Sequence, residues 1–580
     1  MTAPPPPPAS GPASGSPLSA TAGVSFGQSP AGGTGGRLRL ALGLVFILPA
    51  AIGLLISYVG PTFWTIRASF RDIDILDGGA GASVGTENYG HLTGMGEAIG
   101  FALSLAFLPL LTVIIVAPVL AYSASVAGRP GRWAARLAFA VPMVLYAPAV
   151  LAAGWLLDYG RDAALATPSG ARSAVTAAVW LSSFGLVCGF AVTAYLAALY
   201  RRAPGGRTWP AALAVGGILI ASAVAVALQS FAYPAVLGGG GPQRSTTTPI
   251  LGMFAAGFRN FNFGVAAAQA TLLLIILAVL GLGVTLLVIF TRLRMEVDLW
   301  GRPSSRATPS PVPPVVGGVV LGVGLVIVLA ITLYGLWPWL SHLGGSTSGR
   351  EISGGTLFVN TWFPPLVSTV VGVTTAALAG FGIGGLRPLG QWSELLLLPF
   401  APWLFVGLGP LSLANFLHAE AADQVNTFVG LIPPVWVVIP ALFVFTLLGR
   451  GQEQRWRELV ASGVSPGQSL VRALLPALPM LVVVGGAVWL VQAQDVLWPY
   501  VVALSPDAAT GPLWVMAQLS ALYRGGDVGL GAAFPIALVI VGALVLGALQ
   551  VFYLDRVALR TGPGDADVTP TPEPQLDSPL

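Results

Sequence analysis

The chain has 580 residues, of which 55% are hydrophobic and only 9% charged, with a formal net charge of +4 and a mean hydropathy of +0.81. A soluble globular chain carries roughly 25% charged residues, so this sequence lacks the polar surface to face water on all sides, and a soluble enzyme is excluded as its main body. A disordered chain is excluded too, because that class has few apolar residues and many charges. The composition predicts an all-α, polytopic helical membrane protein, long enough for about 12 transmembrane helices of about 20 residues each. Every one of the 27 basic residues is Arg. The absence of Lys removes a P-loop Lys, a Schiff-base Lys and a Lys general base, so any ATP that drives the protein must be bound by another chain. One Cys (Cys188) and three scattered His (His91, His342, His418) form neither a disulfide nor a zinc pattern. The small net charge, spread over loops, is not a nucleic-acid signal.

In chain order, residues 1–36 are rich in Pro, Gly, Ser and Ala and read as a disordered tail. Arg37 and Arg39 then precede the apolar run Leu40–Val59, which is longer than a signal-peptide core and reads as an uncleaved first span. Spans are predicted at 40–66, 97–127, 134–158, 173–200, 208–237, 263–291, 314–341, 356–385, 391–417, 425–449, 473–503 and 529–555. A charged, then Pro/Ser-rich stretch at 295–313 reads as a linker. It separates a first half of six spans (37–294) from a second (314–557), with a second disordered tail at 558–580. The Arg clusters 129/132/136, 201/202/207, 292/294/302/306 and 450/455/457 all fall on the side of the N-terminus. The positive-inside rule makes that side cytoplasmic and puts both termini there.

The fifth spans of the two halves align without a gap. Val226, Gln229, Tyr233, Pro234 and Val236 face Val491, Gln494, Trp498, Pro499 and Val501, and the same offset pairs Arg259 with Arg524, Asn262 with Asp527 and Gly264 with Gly529. Two apolar helices rarely share Gln, an aromatic, Pro, Arg and Gly in one frame by chance, and repeated halves are a common plan for transporters.

Before the eleventh span the loop reads Arg457-Glu458-Leu-Val-Ala-Ser-Gly463-Val-Ser465-Pro-Gly-Gln-Ser-Leu-Val-Arg472-Ala-Leu-Leu475-Pro476. It resembles the signature loop of ABC-importer permeases, an acidic-Ala-Ala start, a central Gly and a Leu-Pro end. Gly463, Leu475 and Pro476 keep the spacing; Glu458 sits one residue closer to the Gly, and Leu459-Val460 replace the Ala pair. Gly463 permits a backbone break between two short helices, and Pro476 suits a helix start or kink, which predicts a helix-turn-helix knob. The resemblance implies that this knob (Arg457, Glu458, Gly463, Ser465, Leu475, Pro476) docks in a groove of a cytoplasmic ATPase subunit. In the first half, Tyr200-Arg201-Arg202-Ala-Pro204-Gly-Gly-Arg207-Thr-Trp209-Pro210 lacks most of that knob, which leaves open how the first half would couple.

The resemblance covers most of the chain and is closest to carbohydrate-type importers of the maltose and glycerol-phosphate kind. Ile47-Leu-Pro, Tyr58-Val-Gly-Pro61, Ser69-Phe70, Glu87-Asn88-Tyr89 and Leu237-Gly-Gly-Gly-Gly241-Pro242 look like the first permease subunit. Asn360-Thr361, Gln494-Asp495, Pro499 and Tyr523-Arg524-Gly-Gly-Asp527-Val-Gly529 look like the second, here fused to it in one chain. This implies a bacterial plasma-membrane permease with no ATPase site of its own, ATP and Mg being held by partner subunits. The implied partners are ABC ATPase subunits, an extracytoplasmic solute-binding protein, membrane lipid and a small polar substrate of the sugar class.

Sugars are held by aromatic faces and hydrogen-bonding groups. Gln229, Tyr233, Gln492, Gln494, Asp495 and Trp498 supply these near the outer part of the two fifth spans, and an ionisable group such as Asp495 within a span is a functional candidate by default. Solvation or an Arg partner for Asp495, interhelical hydrogen bonds for Gln and Tyr and interfacial anchoring for Trp498 are the structural alternatives. Three other readings stay open: an ion-gradient-driven secondary transporter, which also has two six-span halves, a membrane enzyme, for which no acid or His/Ser/Asp constellation is visible, and a degenerate permease with a regulatory role.

Overall fold

The structure is a computed structural model that describes residues 34–73, 81–159, 163–200, 208–297, 299, 311–343, 352–522 and 529–562. The first-half Arg loop at 201–207, most of the 295–313 linker, Arg524 and Asp527 of the aligned pairs, and most of both tails lie outside the described residues. Among the described residues, eight helices are long and apolar enough to cross a membrane: Leu40–Ala68, Met95–Val126, Pro168–Leu199, Trp209–Gly238, Phe263–Thr291, Pro314–Leu340, Gly354–Leu386 and Ile536–Arg556. The pair Gly128–Val144 and Pro148–Tyr159, bent by 81°, adds a ninth if counted as one span. The protein is an all-α, multi-pass membrane protein. Its spans expose large apolar side chains such as Val45, Phe290, Val326 and Leu544 on the outside of the bundle, a surface suited to lipid and too extensive for water. Inside, small residues let the helices approach closely, as along Met95–Val126, where Ala102, Ala106, Ala117, Ala121 and Ala124 are fully buried.

Five of the twelve expected spans are not single unbroken helices: the 208–237 span and four others, each with proline at or near the departure. Its ring clashes with the carbonyl four residues back, it lacks an N–H, and it drives the preceding residue out of the helical region. The 134–158 span bends before Pro148. The 391–417 span is a 3-10 helix, Gly390–Trp403, with Pro399 and Pro402 inside it, followed by a short helix, Ser412–Ala421. The 425–449 span begins irregularly through Pro433-Pro434 and then forms the helix Ile439–Ala461, which continues past Arg450 into polar sequence. The 473–503 span is a helix, Ala477–Ala493, and a short helix, Leu497–Val502.

Two domain boundaries also shift. Residues 295–297, expected in the linker, and 558–560, expected in the disordered tail, belong to the strands Arg294–Val297 and Val557–Arg560. These pair antiparallel, Arg294 facing Arg560 and Val297 facing Val557, with Glu296 bridging Arg294 (3.0 Å) and Arg560 (3.1 Å). The segment after Phe263–Thr291 is thereby joined to the segment after the last long helix. Elsewhere, parts of the opening motif meet: Asn88 Nδ2 donates to the carbonyls of Ser69 (3.0 Å) and Arg71 (2.8 Å), while the Ser69 and Tyr89 hydroxyls are 2.7 Å apart.

Candidate functional site: converging helix breaks and an exposed knob

The two aligned fifth spans break at the same place and in the same way. The helix Trp209–Leu228 ends at Gln229 (φ −99°, ψ 10°), and Ala232–Gly238 follows after two residues out of helix. The helix Ala477–Ala493 ends at Gln494 (φ −102°, ψ 9°), and Leu497–Val502 follows. Pro234 and Pro499 stand in the first turn after each break, where a continuous helix would bring their rings against the carbonyls of Ser230 and Asp495. Non-helical backbone within a membrane bundle leaves carbonyl and N–H groups that only protein or a water-lined cavity can satisfy, so such breaks mark polar sites.

At the third break, before Pro148, Tyr146 links the halves. It lies within electrostatic reach of both Asp495 and Tyr233, and the Tyr233 hydroxyl lies near the Ser182 hydroxyl. Ser182 Oγ in turn accepts from Trp155 Nε1 at 2.9 Å. Gln494 is fully buried, and both its amide atoms are without a hydrogen-bond partner among the described residues. The half-buried Asp495 carboxylate accepts from the backbone N–H groups of Leu497 (3.2 Å) and Trp498 (3.1 Å) and so caps the short helix. No Arg partners it among the described residues.

The other candidates turn elsewhere. Gln229 clasps the second half: Nε2 donates to Phe405 O (2.7 Å) and Ala225 O (3.0 Å), and Oε1 accepts from Gly407 N (2.8 Å). Gln492 Oε1 accepts from Thr369 Oγ1 at 3.1 Å. Trp498 is a core residue and not an interfacial anchor, its ring N–H donating to Gly430 O at 3.0 Å. The six residues therefore divide. Gln229, Gln492 and Trp498 are committed to bonds that hold other segments, whereas Gln494 has neither amide atom partnered among the described residues and Asp495 and Tyr233 stand beside it and at the matching break. Sequence reasoning missed Tyr146, Ser182 and Trp155; the one local signal was the Tyr146-Ala-Pro148 step, hidden in an unbroken apolar run. Gln229→Ala should lower stability by about 1–3 kcal/mol, because it leaves Phe405 O and Gly407 N without their partner. The loss is read as a lower apparent Tm of the detergent-solubilised protein.

At one end of the bundle, the segment 450–476 forms a helix-turn-helix. The helix Ile439–Ala461 closes on Gly463, whose φ of +84° lies in the left-handed region that glycine enters without steric cost. Ser465 Oγ accepts from Gln468 N (3.4 Å) and caps the helix Pro466–Leu474, with Pro466 in its first turn, the position proline favours. Arg457 and Glu458 lie on the last turns of Ile439–Ala461, and their side chains are outside the described residues. Val471 and Leu475 present an exposed apolar edge four residues apart. Pro476 O accepts a 2.6 Å hydrogen bond from the Tyr553 hydroxyl. At the root of the first arm, Arg450 pairs with Glu394 and Arg387 with Glu453, each at 3.0 Å.

Among the described residues, no group of three His, Cys, Asp or Glu side chains is placed to hold a metal. What the breaks bring together is a set of hydroxyl, amide and carboxylate groups able to hydrogen-bond a polar solute. A comparison with protein-family models finds no match, and a comparison with curated proteins finds none either.

Proposed function

We propose that this chain is the membrane permease of an ATP-driven importer of sugars or related polar solutes, two permease halves fused in one polypeptide. Separate cytoplasmic ATPase subunits bind ATP and Mg, an extracytoplasmic binding protein delivers the solute, and the chain itself alternates access across a bacterial plasma membrane. The observation that carries this reading is the exposed helix-turn-helix at 450–476, hinged on a left-handed Gly463 and edged by Val471 and Leu475. A protein with no partner on that face gains nothing from holding apolar side chains out on a glycine hinge. The broken helices around Tyr146, Tyr233, Gln494 and Asp495 support the transport half of the reading, since transporters build solute sites from discontinuous helices. Their neutral hydroxyl and amide groups favour a hydroxylated solute.

The test is a photo-crosslinker at Val471 in native membranes. A nucleotide-hydrolysing subunit should be captured there, and the purified chain alone should hydrolyse no ATP. Failure to capture such a subunit overturns the proposal. One observation favours a second reading, an ion-gradient-driven transporter: a carboxylate, Asp495, stands at the convergence of the breaks. Loss of uptake on adding a protonophore while ATP is present would select it.

A further inference from the structure

The knob does not hang from the second half alone. Its first arm rests on the strand that ends the first half: Gly451 packs so closely on the Met295 backbone that a Cβ would overlap it, and Gln452 Nε2 donates to Val297 O at 3.2 Å. Its second arm ends at Pro476, held by Tyr553. Tyr553 follows the last-span helix Ile536–Phe552, and this helix is tied to the first half and not only to its own. Gln550 donates to Met143 Sδ at 3.0 Å and its Oε1 lies 3.5 Å from Thr193 Oγ1. Two residues beyond Tyr553, Asp555 receives Arg132 Nε at 3.0 Å and Trp133 Nε1 at 3.3 Å, and Arg136 Nε stands 3.5 Å away at ion-pair distance. Arg136 also donates to Leu554 O at 3.0 Å. Tyr553, Asp555, Arg132 and Arg136 are all at most 5% exposed. Two residues beyond Asp555, the chain enters the strand paired with Arg294–Val297.

We propose that Tyr553 and Asp555 are positioning residues that carry movement of the knob into the first half of the chain. The inference rests on the reading of the knob as an ATPase-docking element, and it gives one answer to the missing first-half knob: a single knob moves both halves. The physical argument is stiffness. A 2.6 Å hydrogen bond to a buried carbonyl, a buried ion pair and a two-stranded sheet lie within eight consecutive residues, 553–560. Pulling the knob without moving the helix Gly128–Val144 would leave Pro476 O unpaired or two arginines without their carboxylate, and each is costly in a buried site.

The test measures the distance between spin labels at Val471 on the knob and Leu137 on the first-half helix, both exposed positions. The parent protein should give one narrow distribution. Tyr553→Phe, which removes one hydroxyl, and Asp555→Asn should each broaden it or add a second distance. In the complex with the ATPase subunit captured at the knob, Tyr553→Phe should retain ATP hydrolysis and lower solute uptake at least fivefold. The ATP spent per solute then rises, whereas simple instability would lower both activities together. An unchanged distance distribution in both variants overturns the inference whether or not an ATPase binds. An unchanged ratio of hydrolysis to uptake overturns it as well. Failure of any hydrolysing subunit to reach the knob overturns the proposed function instead, and the transmission role falls with it.

Discussion

Replacing Asp555 by alanine should cost about 3–5 kcal/mol, the usual loss when one partner of a buried ion pair is removed and the other is left charged. Two guanidinium groups depend on this carboxylate. Arg132 Nε lies 3.0 Å from Asp555 Oδ1 and Arg136 Nε 3.5 Å from it, with all three side chains at most 6% exposed. Trp133 Nε1 loses its acceptor at the same time. The change is read as a fall in apparent Tm of the detergent-solubilised protein, and Asp555→Asn, which keeps the shape and one acceptor, should fall less. If Asp555→Ala melts with the parent protein, the ion pair does not hold this end of the bundle together. An apolar swap of the whole group (Arg132, Arg136 and Asp555 together) should be far better tolerated than the single change, because the cost lies in the unpaired charge and not in the lost attraction.

If the knob docks an ATPase as proposed, Gly463→Trp should abolish ATP-dependent uptake while leaving the protein folded. The backbone at 463 is left-handed, which costs an L-residue about 1–2 kcal/mol, a loss confined to an exposed turn. Nothing stands within 4 Å of the position a Cβ would take, so the new side chain starts into open space at the turn of the knob. A groove that receives the knob would be blocked. Gly463→Asn separates the two effects, because Asn tolerates the left-handed region and is small; it should retain uptake. Uptake that survives the Trp substitution, with its amount in the membrane unchanged, removes the docking role from the knob.

Much of the fold is legible from residue order because the signals are local. Runs of about 20 apolar residues announce spans, and eight of the expected spans coincide with long helices. Gly463, Ser465 and Pro466 announce a turn and a helix start within three positions, and the knob has that shape. Proline carries information that a hydropathy count overlooks. Pro148 and the Pro433-Pro434 pair lie inside apolar runs that read as continuous spans, yet regular helix begins or resumes only at or after them, and Pro399 and Pro402 lie in a stretch that winds as a 3-10 helix instead. The candidate solute site is legible in part. Tyr233, Gln494 and Asp495 are marked by polar character in apolar surroundings, and the same mark drew in Gln229, Gln492 and Trp498, which serve the packing.

What residue order alone determined is the class of the protein: an apolar, Lys-free, charge-poor chain must fold as a helical bundle in lipid, because it has too few charges to dissolve and every span must satisfy its own backbone. What only the tertiary structure decided is which polar groups are already taken. Gln229 meets Phe405 across 176 positions, and Arg132 meets Asp555 across 423. No periodicity or spacing encodes such pairs. A side chain's freedom to bind a solute, or its commitment to holding two halves together, depends on what the folded chain brings within 3 Å of it.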